Sequence, residues 1–300
     1  MTLANNARSF YATAGPMTVL DVAPELFDGL GSDPHEIREA VSRSLLHPAW
    51  AGAYGVALSE ERSEQQQLRF AAENARCLLQ LKAAPLIEHR TVDERAVGTC
   101  RTFSVCLTAI LRRLGIPARA RCGHASYFQK GLWVDHWVTE YWSDESDRWV
   151  RVDAQLDTVQ LEAINVSWSP DDLPDHAFLT GGECWQQIRD NTIDPSTCGI
   201  FDMWGAWFVR SNVVRDLAAL NKVELLPWDA WKIMENRAQL GTDHDNAIFD
   251  DAARVCASDD LERVRRLYSN PRFAVPNTIT TYLDAKPVRV ELGNLVTEAR

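Results

Sequence analysis

Apolar residues recur at three- and four-residue steps from Phe103 through Leu107 and Ile110 to Leu114, a period that predicts a helix with one buried stripe. Thr99 stands where an N-cap belongs, and Gly115 followed by Pro117 is a stop signal. Residues 1–33 read as irregular. Asp33-Pro34 opens a helix expected to reach His47, with Asp33 as N-cap and Pro34 in the first turn. Ser59 is expected to cap a longer helix running to about Lys82, whose polar start gives way to Leu68, Phe70, Ala71, Ala75, Leu78 and Leu79.

Past Gly115 the period shortens to two. Arg119 and Arg121 fall on one side of an alternation, and Ala118, Ala120 and Cys122 on the other, within a strand over 118–128. Residues 132–142 are rich in Val, Trp and Tyr, and 148–153 follow a polar turn from Asp144 to Asp147, a pattern that predicts an antiparallel hairpin. Beyond Gln155, Pro170, Pro174 and Gly181-Gly182 interrupt the pattern. Helices are expected over 182–190, 203–221, 227–236, 245–257 and 259–269, then a tail of some extended character from Pro271. The sequence thus predicts an α+β fold with a helical N-terminal part over 1–96, a core over 97–155 and a mostly helical extension over 156–300.

Charge and composition narrow the function classes. A net charge of −11 lacks the basic footprint of a general nucleic-acid binder. No apolar run approaches membrane-helix length, and the N-terminus lacks the basic start and apolar core of a secretory signal, so no membrane partner and a cytoplasmic location are expected. The seven cysteines are odd in number and form no CxxC pair, which argues against a disulfide framework or a zinc knuckle. Neither a cofactor nor a metal is expected. The eleven tryptophans cluster at 133–149 and 204–231, where core and pocket wall are the ordinary uses.

The chemistry is concentrated in three residues. Cys100 opens the central helix, where backbone N–H groups and the dipole favour an anion. His136 follows 36 residues later in the first hairpin strand, and Asp153 ends the partner strand 17 residues beyond. A thiol, an imidazole and a carboxylate in that order suit nucleophilic catalysis: the imidazole moves the proton and the carboxylate orients it. Asp135 alternates away from His136 and is a poor orienter. For each residue the alternative is structural: a buried thiol, a satisfied core histidine, a turn-capping aspartate. Cys106 reads as core.

The motifs Gly98-Thr99-Cys100, Leu111 to Arg119, Gly123, His136-Trp137 with Glu140, and Trp149 to Asp153 together resemble the transglutaminase-like superfamily of papain-related cysteine enzymes. The resemblance covers about a fifth of the chain. It implies an α+β core with the helix packed on an antiparallel sheet, and places the nucleophile on Cys100, the base on His136 and the orienting carboxylate on Asp153. The region after 155 looks like the helical extension of a bacterial subgroup. No Ca²⁺-type acidic cluster stands out, so the Ca²⁺-activated crosslinking of animal members is not implied.

Three further residues are candidates for binding substrate. His124 follows the strand glycine and is otherwise expected on a loop or the surface. Trp137 adjoins the histidine and is otherwise packing. Glu140 shares the face of His136 and is otherwise a buried ion-pair partner of Arg119 or Arg121. Arg210 and Arg215 are expected on a solvated or ion-paired face. The sequence therefore predicts cysteine-dependent acyl transfer from a small-molecule or peptide donor, a small-molecule amine being slightly favoured over water as acceptor. The alternatives are a cysteine protease or amidase and, from another class, a catalytically silent peptide- or metabolite-binding module.

Overall fold

The computed structural model describes residues 3–235, 246–283 and 286–293. Its chain forms two compact units, each assembled from separated segments: Arg8–Ala120 with Trp137–Leu173, and Met1–Ala7 with Arg121–His136 and Pro174–Arg300. Helix α1, Leu3–Tyr11, opens the described chain.

In the first unit, α2 spans Pro34–Ser44, and the Asp33 carboxylate accepts the His35 N–H at 3.0 Å, the expected cap. The helix stops before His47 because His47 precedes Pro48, whose ring disfavours helical backbone at the residue before it. Leu45–Leu46 instead form strand β1, and His47 Nδ1 caps the 3₁₀ turn Pro48–Tyr54 by accepting the Ala49 N–H at 3.2 Å.

The single helix expected over 59–82 is two. Ser59 caps α3, Glu60–Glu64, and α4 spans Ala71–Leu81. Between them the Glu73 carboxylate accepts the N–H groups of Arg69 and Phe70, each at 3.0 Å, and holds Phe70 extended. A capping interaction here overrides the sum of helix propensities.

Strand β2, Ala96–Val97, pairs in parallel with β1, Leu45 opposite Ala96 and Leu46 opposite Val97. It leads into α5, Cys100–Arg113, whose residues from Cys100 to Arg112 are all buried. Phe103, Leu107, Ile110 and Leu111 pack with Val41, Leu78, Val150 and Val152 in one apolar cluster. Strand β3 spans Ala118–Ala125, β4 Trp133–Ser143 and β5 Arg148–Val152. Strands β4 and β5 form the expected antiparallel hairpin, from Ser143 opposite Arg148 to Thr139 opposite Val152. Helix α6, Thr158–Ile164, lies in a stretch where no helix was expected; Asp157 caps it at the Gln160 N–H.

Glu140 ties three strands of this unit together. Its Oε2 accepts Arg119 Nε at 2.7 Å and its Oε1 accepts Arg151 Nε at 2.8 Å, with the glutamate side chain 3% exposed. Arg119 also lies over the Trp149 ring at 4.1 Å. The buried ion pair named as the alternative for Glu140 is therefore present with Arg119.

In the second unit the Gly123–Ala125 end of β3 pairs antiparallel with β6, Phe178–Thr180. Helix α7 follows at Gly181–Arg189. The start of β4 pairs in parallel with β7, Cys198–Ile200, and β7 turns into β8, Met203–Trp204. Helix α8 spans Ala206–Leu220; it begins later than expected because Met203 and Trp204 are taken into the β7–β8 hairpin. A Cβ on Gly181 would stand 2.6 Å from the Asn212 backbone, so α7 and α8 meet there at glycine distance.

Of the helix expected over 227–236, residues 227–235 instead hold strand β9, Asp229–Ala230, and a 3₁₀ turn, Lys232–Glu235; residue 236 lies outside the described residues, as does residue 245 of the next expected helix. Helices α9, Asn246–Cys256, and α10, Leu261–Tyr268, follow as expected. Strands β10, Thr278–Leu283, and β11, Lys286–Glu291, complete an antiparallel sheet with β9, its order β11-β10-β9. The region after residue 155 thus carries the helices expected near 182–190, 203–221, 245–257 and 259–269, not the one over 227–235, and also supplies strands. Among the described residues no helix is long and apolar enough to cross a membrane.

Removing one partner of a buried, hydrogen-bonded charge group leaves the others uncompensated. Glu140→Ala is expected to lower the unfolding free energy by about 3–5 kcal/mol, read as a shift of the urea midpoint.

Candidate functional site

Cys100 is the first residue of α5 and is 7% exposed. Its approach is pinned residue by residue. The Val97 N–H donates to Gln65 Oε1 at 2.9 Å, and the Gly98 N–H to the Leu46 carbonyl at 3.0 Å. A Cβ at Gly98 would stand 2.7 Å from Thr102 Cβ, so only glycine lets the strand turn this closely into the helix. Thr99 occupies the N-cap position with extended backbone, but its hydroxyl makes no capping bond and has no hydrogen-bond partner; the Thr102 hydroxyl, also buried, has none either. The sequence expectation that Thr99 caps the helix is met in position and not in bonding.

One turn along, α5 is latched to β4. Ser104 Oγ donates to the Val138 carbonyl at 2.6 Å, and Thr139 Oγ1 donates to the Ser104 carbonyl at 3.0 Å. These bonds fix the helix in register against the Val138–Thr139 stretch of β4. Asp153 is the first residue past β5 and is fully buried. Its N–H donates to the Pro170 carbonyl at 2.8 Å, and its Oδ1 accepts the Gln155 N–H at 2.9 Å. The aspartate does make the turn bond that its structural reading called for, and that bond orients the carboxyl group. Cys100 and Asp153 both belong to the first unit.

His136 is the last residue of its segment of the second unit and is 2% exposed. Phe128 and Tyr127 meet its ring edge-on, at centroid distances of 4.9 and 5.9 Å. The sequence placed these two aromatics at the end of a strand with no role, and the adjacent aromatic pair Tyr127-Phe128 is the one signal that could have singled them out.

Trp137 is buried, and its indole N–H has no hydrogen-bond partner. His124 is not on a loop or the surface: it lies within β3 and is fully buried. Asn212 of α8 bridges it to Asp135, with Nδ2 3.3 Å from His124 Nε2 and 2.7 Å from Asp135 Oδ1. Burial pushes the His124 imidazole down to about 3 and the Asp135 carboxyl up from its ordinary range. The His124 Nδ1 is buried without a partner. Arg210 is also buried rather than solvated: it lies over the Trp185 ring at 4.7 Å and donates to Asn246 Oδ1. Arg215 donates to Asn212 Oδ1 at 3.1 Å.

Burial pushes Cys106 up to about 12, and raises Cys77 and Cys256 as well. Among the described residues, no group of three or more His, Cys, Asp and Glu side chains is gathered as a metal site requires.

The model of one family, the transglutaminase-like superfamily, matches residues 57–154, about a third of the chain. The match takes in Cys100, His136 and Asp153, and it begins upstream of the motifs read from the sequence. No curated protein and no solved structure matches the chain.

The depressed His124 has a consequence for stability. Its folded pKa lies below the ordinary value, so as pH falls from about 6.5 the unfolded chain takes up a proton that the folded protein refuses. Stability is full above that pH and falls toward pH 3, by up to about 1.4 kcal/mol per unit from this group. Thermal melts of wild type and His124→Gln between pH 7 and 4 are expected to show a shallower decline in the variant.

Proposed function

We propose, from the match of residues 57–154 to the transglutaminase-like superfamily model, that the protein transfers acyl groups through Cys100, with His136 as proton carrier and Asp153 as the group that orients it. The observation that carries this reading is the position of Cys100: the first residue of a buried helix, inside the matched segment, reached through a pinned strand and a glycine turn.

In the proposed reaction the Cys100 sulfur attacks the carbonyl carbon of an amide, ester or thioester. The carbonyl oxygen takes up negative charge, which the backbone N–H at the start of α5 is suited to stabilise. His136 accepts the thiol proton and returns it to the departing group, leaving a thioester on Cys100. An acceptor then loses its proton to His136 and attacks the thioester, and the sulfur leaves. The acceptor we favour is a small-molecule amine, because transfer wins over hydrolysis only where water is kept out. Cys100 is itself only 7% exposed, which limits the water that reaches the sulfur. With water as acceptor the same steps give a protease or amidase.

The decisive test is intact-mass labelling by a limiting dose of iodoacetamide near pH 6. One fast label is expected in the wild type, absent in Cys100→Ala and slowed by about tenfold or more in His136→Ala. Slow labelling spread over several cysteines would overturn the reading and favour a binding module. For the acceptor, product analysis with thioesters over a range of amine concentrations is expected to show amide formation; hydrolysis alone at every concentration would make the enzyme a hydrolase.

A further inference from the structure

Cys184 of α7 and Cys198 at the start of β7 bring their sulfur atoms to 3.7 Å, and both residues are fully buried. A disulfide bond is about 2.05 Å long, so the sulfurs need to approach by less than the length of that bond. Both cysteines lie in the second unit, and 14 positions separate them along the chain. Cys198 stands opposite Trp133 in the parallel pairing of β7 with β4.

The surroundings give the pair a direction. Cys198 Sγ lies 3.9 Å from the Asp194 carbonyl and 4.0 Å from Thr197 Oγ1, in the 3₁₀ turn Pro195–Thr197 and its cap. Asp194 and Ser196 of that turn are exposed, so a very small reagent has a short path to Cys198. The hydrogen bond from Cys184 pulls the Cys198 thiol down, while the same pairing and burial push Cys184 up. Cys198 is therefore the thiol to ionise first, and Cys184 the one to resolve it.

We propose that Cys184 and Cys198 form a thiol–disulfide modification site, closed to an intrachain disulfide by a small hydroperoxide. The Cys198 thiolate attacks one oxygen of hydrogen peroxide. An S–O bond forms, the O–O bond breaks, and the hydroxide released takes up the proton that Cys198 gave up. The Cys184 sulfur then attacks the Cys198 sulfur: the S–S bond forms, the S–O bond breaks, and the oxygen leaves as water with the Cys184 proton. Two thiols are oxidised and one peroxide is reduced to two waters. The crosslink ties α7 to β7.

Reduced wild-type protein titrated with hydrogen peroxide, alkylated and digested tests this by peptide mass mapping. The expected result is a linked pair of peptides containing Cys184 and Cys198, lighter by two hydrogens, formed before any other cysteine pair and reversed by dithiothreitol. In Cys184→Ala the same treatment is expected to leave a sulfenic acid on Cys198 that dimedone traps. A Cys198 that stays reduced, that passes to sulfinic acid without a crosslink, or that is preceded by another pair would overturn the proposal. The wild-type map decides the matter even where the variant fails to fold. None of these readouts depends on Cys100, so the outcome is separate from that of the acyl-transfer reading.

Discussion

The first unit depends on wrapping a helix on every side. Most helices bury a stripe and leave a polar face in water, but α5 is buried from Cys100 to Arg112, and that span includes Arg101, Thr102, Ser104, Thr108 and Arg112. Polar side chains taken from water generally find partners inside, and of these only the Thr102 hydroxyl has none. Arg101 donates to the Arg69 carbonyl, Ser104 to the Val138 carbonyl, and Arg112 to the Ala118 carbonyl. Each bond pins one neighbour: the break between α3 and α4, the strand β4, the start of β3. The helix is thus a peg whose side chains set the register of what surrounds it, and the residue at its first turn inherits that rigidity.

Features governed by neighbours in sequence were readable from the chain. The span of α5, the Asp33 cap, the hairpin of β4 and β5, and the Glu140–Arg119 pair all rest on short-range pattern or on alternation across adjacent strands, whereas the single buried stripe expected of α5 does not hold: the helix is buried all round and Leu114 past its end is exposed. The motif order carried the resemblance to the transglutaminase-like superfamily, whose family model matches residues 57–154. Features governed by distant partners were not readable. The break at Phe70 is the local exception: the Glu73 carboxylate three residues on competes with the helix for its N–H groups, and helix propensity outweighed that signal in the reading. Strands β6 and β7 are three residues each and exist through their pairing with β3 and β4. His124 sits after a glycine, which suggested a loop, yet strand pairing with Leu179 and the Asn212 bridge hold it inside.

The second unit shows a different use of buried polarity. Arg121 makes a two-pronged pair with Asp216, at 3.0 and 2.8 Å, and Asp216 also accepts the Cys122 N–H. A few residues along α8 toward its start, Asn212 serves His124 and Asp135. One face of α8 therefore reads the side chains of β3 and β4 at two successive levels, with complementary charge at one and amide bridging at the other. Such pairs cost desolvation and gain specificity of alignment, which fits a helix that must seat on strands in one register.

The interleaving of the two units has a bearing on how the chain is made. A polypeptide leaves the ribosome in order, and domains form as their segments become available. All segments of the first unit have emerged once Leu173 is out, whereas β3 and β4 still lack the partners that β6 and β7 bring later. The parallel β4–β7 pairing joins Trp133 to Cys198, more than sixty positions on, and non-local pairings of this kind form slowly. The nascent protein therefore passes through a stage in which α5 can be wrapped while the early part of β4 still has an open edge. Synthesis order builds a delay between enclosing α5 and completing the sheet along β4.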